Sequence, residues 1–285
     1  AQMRERLFPR WGAALFALLP LSELLYLPVD GQTMYAAALA SLVCALLCAG
    51  GARIAPFWCR YRILQWALAL FALWPLTQSL ARMGLFLRNT VFPARPLWSL
   101  ILLLTVCTLL TATTGLNRCA MWALPVAWAA GAVLALSGIL TLGELRISYW
   151  EAPAAPLLGQ AGAIFRALLP AALALSLALP DGLAGAASRG LSAGGTLLAL
   201  LSLRALLLLG PHTAALLPYP NFSAAGLAAI GDFARHGEVF FAVPLLLCEL
   251  GRCAALACVL LLPVTHSYGV LRLGQEADRP AHRQQ

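Results

Sequence analysis

The chain has 285 residues, 61% of them hydrophobic and only 11% charged, with a formal net charge of +8. A soluble domain carries about 45–50% apolar and about 25% charged residues, so this chain lacks the charge to cover a water-facing surface, and its mean hydropathy of +0.83 fits an outer surface that faces lipid. All 19 basic residues are arginines, and most cluster in short gaps between apolar runs, the pattern of membrane loops rather than of a nucleic-acid-binding face.

A spanning helix needs about 20 apolar residues. The first run is Trp11 to Val29, broken by Pro20, Ser22 and Glu23, and the second is Met34 to Ala52. Arg4, Arg6 and Arg10 precede the first run as in a signal peptide, but no small-residue cleavage site follows, so it reads as the first span. The third, about Ile63 to Leu87, contains Pro75, Gln78 and Arg82, and Pro93 and Pro96 mark the turn after it. The fourth runs from Leu97 to Ala112 and the fifth from about Cys119 to Leu142. A polar loop, Gly143 to Gln160, leads to the sixth, about Ala161 to Leu179, interrupted by Pro170. The seventh is about Gly194 to Leu209. The eighth stretch, about Phe222 to Pro263, opens with an amphipathic half bearing Asp232, Arg235 and Glu238, which predicts a short lead-in helix.

These runs predict an all-α transmembrane protein with about eight spanning helices. Residues 1–268 read as a single polytopic membrane domain, and residues 269–285 as a polar, disordered cytoplasmic tail. Arginine placement puts both termini in the cytoplasm, because Arg53, Arg60, Arg62, Arg118, Arg189 and the terminal arginines then share one side, against mainly Arg88, Arg95 and Arg146 on the other.

Function is sought where the sequence violates the lipid rule, since an ionised side chain at mid-membrane costs about 2.5–3.5 kcal/mol even on a lenient scale. Glu23 follows Pro20 and Ser22; a helix broken by proline beside a carboxylate offers groups for a cation or a substrate amine, unless the span simply ends near Ser22. Pro170 predicts a similar break in the sixth run, or a tolerated kink. Interrupted first and sixth spans suit a five-plus-five inverted repeat. Trp74, Gln78 and Arg82 follow one helix face, so Trp74 and Gln78 are candidate cavity-lining residues. Asp232, Arg235, His236 and Glu238 are candidates for a structural or gating cluster, or for interfacial ion pairs. Glu249 and Arg252, three apart, can pair on one face, whereas Arg204 needs a partner across the bundle or must snorkel.

The eight cysteines form no CxxC pair and read as small packing residues. The four histidines have no ligand spacing, and no P-loop, HExxH or GxSxG motif occurs. No enzyme activity, cofactor or metal is expected.

Three motifs carry a resemblance. The stretch Arg88-Asn-Thr-Val-Phe-Pro-Ala-Arg-Pro-Leu-Trp98 resembles the extracellular segment between spans three and four of the B-subunit family of spore germinant receptors, where a leucine- or phenylalanine-proline pair is followed by a second proline. Thr114-Gly-Leu-Asn-Arg118 resembles that family's turn into span five. Tyr219-Pro-Asn-Phe222, then Ile230-Gly-Asp-Phe233 and Glu238, is similar to its tyrosine-proline-serine loop and glycine-aspartate-phenylalanine helix start. The resemblance covers about Trp11 to Pro263. It implies kinship with amino-acid/polyamine/organocation transporters and a LeuT-like bundle with broken helices 1 and 6, from which the last two of ten spans are missing.

It also implies a small germinant such as an amino acid as ligand, A-type and lipoprotein C-type germination subunits as partners, and the spore inner membrane or cell membrane as location. In such a scaffold spans one, three, six and eight surround the ligand. The sequence departs from the family at His236-Gly237-Glu238, where arginine-x-glutamate is expected, and lacks a tryptophan near Pro244. A germinant-sensing subunit, a secondary amino-acid transporter and a non-binding membrane scaffold are the three functions that fit.

Overall fold

A computed structural model describes residues 9–150, 157–178, 184–227 and 237–277. Among them all regular structure is helical. The eight apolar runs become α1 (Pro9–Glu23), α2 (Thr33–Arg60), α3 (Arg62–Thr90), α4 (Leu97–Ala112), α5 (Leu116–Leu140), α6 (Leu157–Ala178), α7 (Ala184–Leu209) and, after short α8 (Pro211–Leu216) and α9 (Pro220–Gly226), α10 (Gly237–Ala277). Six of these helices are long and apolar enough to cross a membrane: α2, α3, α5, α6, α7 and the Phe240–Val264 part of α10. The chain is therefore built as an integral, multi-pass helical membrane protein. With 16 residues α4 falls short of a full span, and α1 is described from Pro9 onward.

Two sequence expectations are revised by the backbone. Where a break is expected at Pro170, α6 runs on from Leu157 to Ala178; and α1 continues through Pro20 before ending at Glu23. Proline removes one hydrogen bond, which packing on both sides offsets. The helix α10 also runs to Ala277, into the stretch expected to be disordered. The lead-in expected around Asp232, Arg235 and Glu238 falls mostly on residues 228–236, which lie outside the described region; α9 precedes them.

Turns are set by local chemistry. Between α1 and α2 the Asp30 carboxylate accepts from the Gln32 N–H (2.9 Å) and the Thr33 hydroxyl (3.0 Å), an Asx-type turn. The turns into α5 and α8 need positive φ, which Gly115 (+93°) and Gly210 (+75°) supply.

Packing falls into two groups joined at the centre. In one, α2 packs on α6 and α7, and α7 on α1; in the other, α10 packs on α3, α4 and α5. They meet where α1 and α6 touch α10, and α3 touches α6. Close approach of α7 to α1 rests on a glycine pair one turn apart. A Cβ at Gly190 would collide with the carbonyl oxygen of Ala13, and one at Gly194 would lie 2.7 Å from that of Ala17. Small residues at such spacing let membrane helices reach backbone contact, where dispersion replaces the missing hydrophobic force. Gly194→Leu should therefore lower the melting temperature in detergent by about 5 °C or more, by overpacking, whereas Gly131→Leu, at a position open on all sides, should leave it unchanged.

Candidate functional site

The site forms where α1 stops. In its last turn the Ser22 hydroxyl donates back to the Leu19 carbonyl (2.8 Å), and the next residue, Glu23, is only 4% exposed. A carboxylate removed from water needs compensating partners, and Glu23 has two. Arg82 Nη1 of α3 donates to Oε2 (2.9 Å), and Arg252 Nη1 of α10 donates to Oε1. Arg252 is itself buried, and its guanidinium also donates to the Ser22 hydroxyl (3.2 Å) and the Ala167 carbonyl of α6 (3.0 Å). One side chain thus ties α10 to both α1 and α6. Glu249, one turn before Arg252, completes the cluster at 3.9 Å from Nη1, and neither of its oxygens receives a hydrogen bond.

A cavity of about 330 Å³ opens beside this cluster. Its polar lining comes from Glu23 and Tyr26 at the end of α1, Thr33 of α2, Arg82 of α3, Gln160 of α6 and Tyr219 before α9; Leu27, Leu85 and Ile164 supply apolar wall. Its volume suits a small molecule. Aromatic rings brace the Tyr26 and Tyr219 side: Phe86 meets Tyr219 edge-on at 5.0 Å, Phe222 at 5.4 Å and Tyr26 at 6.4 Å. Asn221 locks the Tyr219-Pro-Asn-Phe222 segment onto the bundle by donating to the Leu24 carbonyl (2.8 Å). Arg82 is the cation open to the cavity, at 34% side-chain exposure. The Gln160 carbonyl oxygen and the Tyr26 hydroxyl are buried without partners.

Of the residues singled out in the sequence, Glu23 lines the cavity and Ser22 stands behind it on Arg252. Pro20 is buried against α7, 3.2 Å from where a Cβ of Gly194 would lie, and Pro170 is half-buried in α6; neither lines the cavity. Trp74 is 65% exposed and Gln78 is exposed beside it, on the outer side of α3. Asp232, Arg235 and His236 lie outside the described residues; Glu238 stands in the first turn of α10.

Sequence reasoning paired Glu249 with Arg252 but did not link either to Glu23, and it passed over Tyr26, Thr33, Gln160 and Tyr219. The usable signal was charge balance: Glu23, Arg82, Glu249 and Arg252, two acids and two arginines, within three apolar runs. Arg204, which had no local partner, finds two across the bundle, donating to the hydroxyls of Thr141 (2.8 Å) and Ser137 (2.8 Å).

Comparison with known proteins finds no matching family model and no matching curated protein.

Removing one member of a buried pair leaves an uncompensated charge, at about 3–5 kcal/mol, whereas a partly exposed pair contributes about 0–1 kcal/mol. Glu23→Gln should thus destabilise the detergent-solubilised protein far more than Arg82→Gln, in thermal unfolding followed by tryptophan fluorescence. Equal losses would contradict this assignment.

Proposed function

We propose that the chain is a ligand-sensing membrane subunit with a transporter-like core, of the B-type found in spore germinant receptors, and that it binds a small molecule such as an amino acid in the cavity beside Glu23. The observation that carries the reading is the composition of the cavity wall. It draws on the first, third and sixth apolar helices, and the eighth, α10, stands directly behind with Arg252 on Glu23. These are the four elements that surround the ligand in a five-plus-five scaffold.

Packing supports the same scaffold. Counting α10 as the eighth apolar run, a shift by five maps α1 onto α6, α2 onto α7 and α3 onto α10. Under that shift α1–α7 packing exchanges with α6–α2, and α1–α10 with α6–α3, while α1–α6, α2–α7 and α3–α10 map onto themselves; all seven packings occur, whereas the smaller α6–α10 and α2–α3 packings lack a comparable counterpart. The lining chemistry favours a ligand with both an anionic group and a donor, since Arg82 offers N–H groups and Gln160 an unused acceptor.

The germinant-receptor assignment itself, with A-type and C-type subunits as partners in the spore inner membrane, rests on the motif resemblance. A secondary amino-acid transporter draws on the same cavity and repeat, and uptake into proteoliposomes driven by an ion gradient would select it. Binding by the purified chain in lipid nanodiscs, screened against the common amino acids, tests both. Arg82→Ala should weaken the best ligand by about 10–100-fold, the loss of one charge-assisted hydrogen bond at about 1.5–3 kcal/mol. Unchanged affinity in a folded Arg82→Ala protein would remove the cavity from the account.

A further inference from the structure

We infer that Glu249 is a proton-binding site that sets the charge of the cavity: while Arg252 is committed to Glu23, Glu249 carries a proton, and the excess positive charge favours a ligand carboxylate on Arg82. The inference rests on the cavity reading above.

Glu249 is 1% exposed, and both carboxylate oxygens lack a hydrogen-bond partner. A bare carboxylate in that position loses its hydration and gains little in return. Its nearby cation gives it no hydrogen bond: the Arg252 Nη groups donate to Glu23, Ser22 and Ala167, the Nε–H is left without a partner, and Nη1 stays 3.9 Å from Glu249. Taking one proton from water neutralises the carboxyl with no other bond made or broken.

The groups around Glu249 do not replace that proton. On α10 it faces Cys248, Arg252 and Cys253; from the α1 side Glu23, the Ser22 hydroxyl and the Tyr26 phenol; from α3 the Ser79 hydroxyl. Glu23 adds a second negative charge, which disfavours two ionised carboxylates together. The α6 helix reaches the cluster through the Ala167 carbonyl on Arg252. The α4 and α5 helices also pack on α10, where the Ala112 carbonyl and Cys119 meet Cys258.

With Glu249 neutral, two arginines stand against the single charge of Glu23, and Arg82 is the arginine that reaches the cavity. A ligand carboxylate there restores neutrality. Tyr26 offers a route for the proton: it lines the cavity, its hydroxyl has no partner, and it lies in the field of both Glu249 and Glu23. Because linkage is reciprocal, a carboxylate that binds better to the protonated protein must also hold the proton more tightly.

The test uses the full chain in lipid nanodiscs. Infrared difference spectroscopy at neutral pH should show the carbonyl stretch of a protonated carboxylic acid that is retained in Glu144→Gln, an exposed control, and lost in Glu249→Gln. L-alanine binding to the wild type should weaken as pH rises far enough to deprotonate Glu249, with proton uptake on binding confined to that range; Glu249→Gln, whose amide imitates the protonated acid, should lack this fall in affinity. Absence of the band, or its persistence in Glu249→Gln, overturns the proton site. If that variant does not fold, an L-alanine affinity that stays constant across the pH range over which the wild-type carboxylic-acid band disappears overturns it equally, while leaving the cavity reading in place. A wild type that shows the Glu249 band but binds no L-alanine overturns the ligand half and the cavity reading for that amino acid.

Discussion

A carboxylate at the end of a helix inside a lipid-facing bundle imposes the condition that the surrounding structure satisfies. Glu23 is buried, and in that setting an ionised group without partners is worth several kcal/mol of instability. The chain answers with arginines from two other helices, Arg82 and Arg252, and Arg252 reaches on to the Ala167 carbonyl of a fourth. The end of α1 and interior turns of α3, α6 and α10 are thereby registered against one another at a single point. That point is also where the bundle fails to close, so cavity and ion cluster share a wall.

The rest of the packing makes such a cluster affordable. Small residues bring α7 against α1 and α2, with Gly190, Gly194 and Gly195 in direct apposition to Ala13, Ala17 and Ser41. This buries most of the described part of α1, and its last turn delivers Ser22 and Glu23 to buried positions at the ion cluster.

Much of the architecture was legible in the sequence, because hydrophobic runs of spanning length have few alternatives in lipid. Each of the eight runs contains a helix, although α7 starts well before its expected bound, α2 and α10 run on past theirs and α1 stops short of its own; Glu23, singled out as a residue out of place in lipid, is buried. The prolines misled: Pro20 and Pro170 announce breaks, but a proline within a packed membrane helix loses one hydrogen bond and need not end it. Trp74 and Gln78 share a helix face with Arg82 on paper, yet α3 turns both outward and keeps only Arg82 near the cavity. A face of one helix does not reveal which neighbour it meets. The link from Glu23 to Arg252 crosses 229 positions, and no local pattern encodes a contact at that distance; only the balance of charges within apolar runs hinted at it.

A double-mutant cycle on Glu23 and Arg252 tests the central claim most directly, with unfolding of Glu23→Gln, Arg252→Met and the combined protein compared in one detergent. If the two charges are buried against each other, the combined protein is more stable than either single variant, because no unpaired charge is left inside. Losses that simply add would show that Glu23 and Arg252 do not meet, and the ion-paired core described here would be wrong.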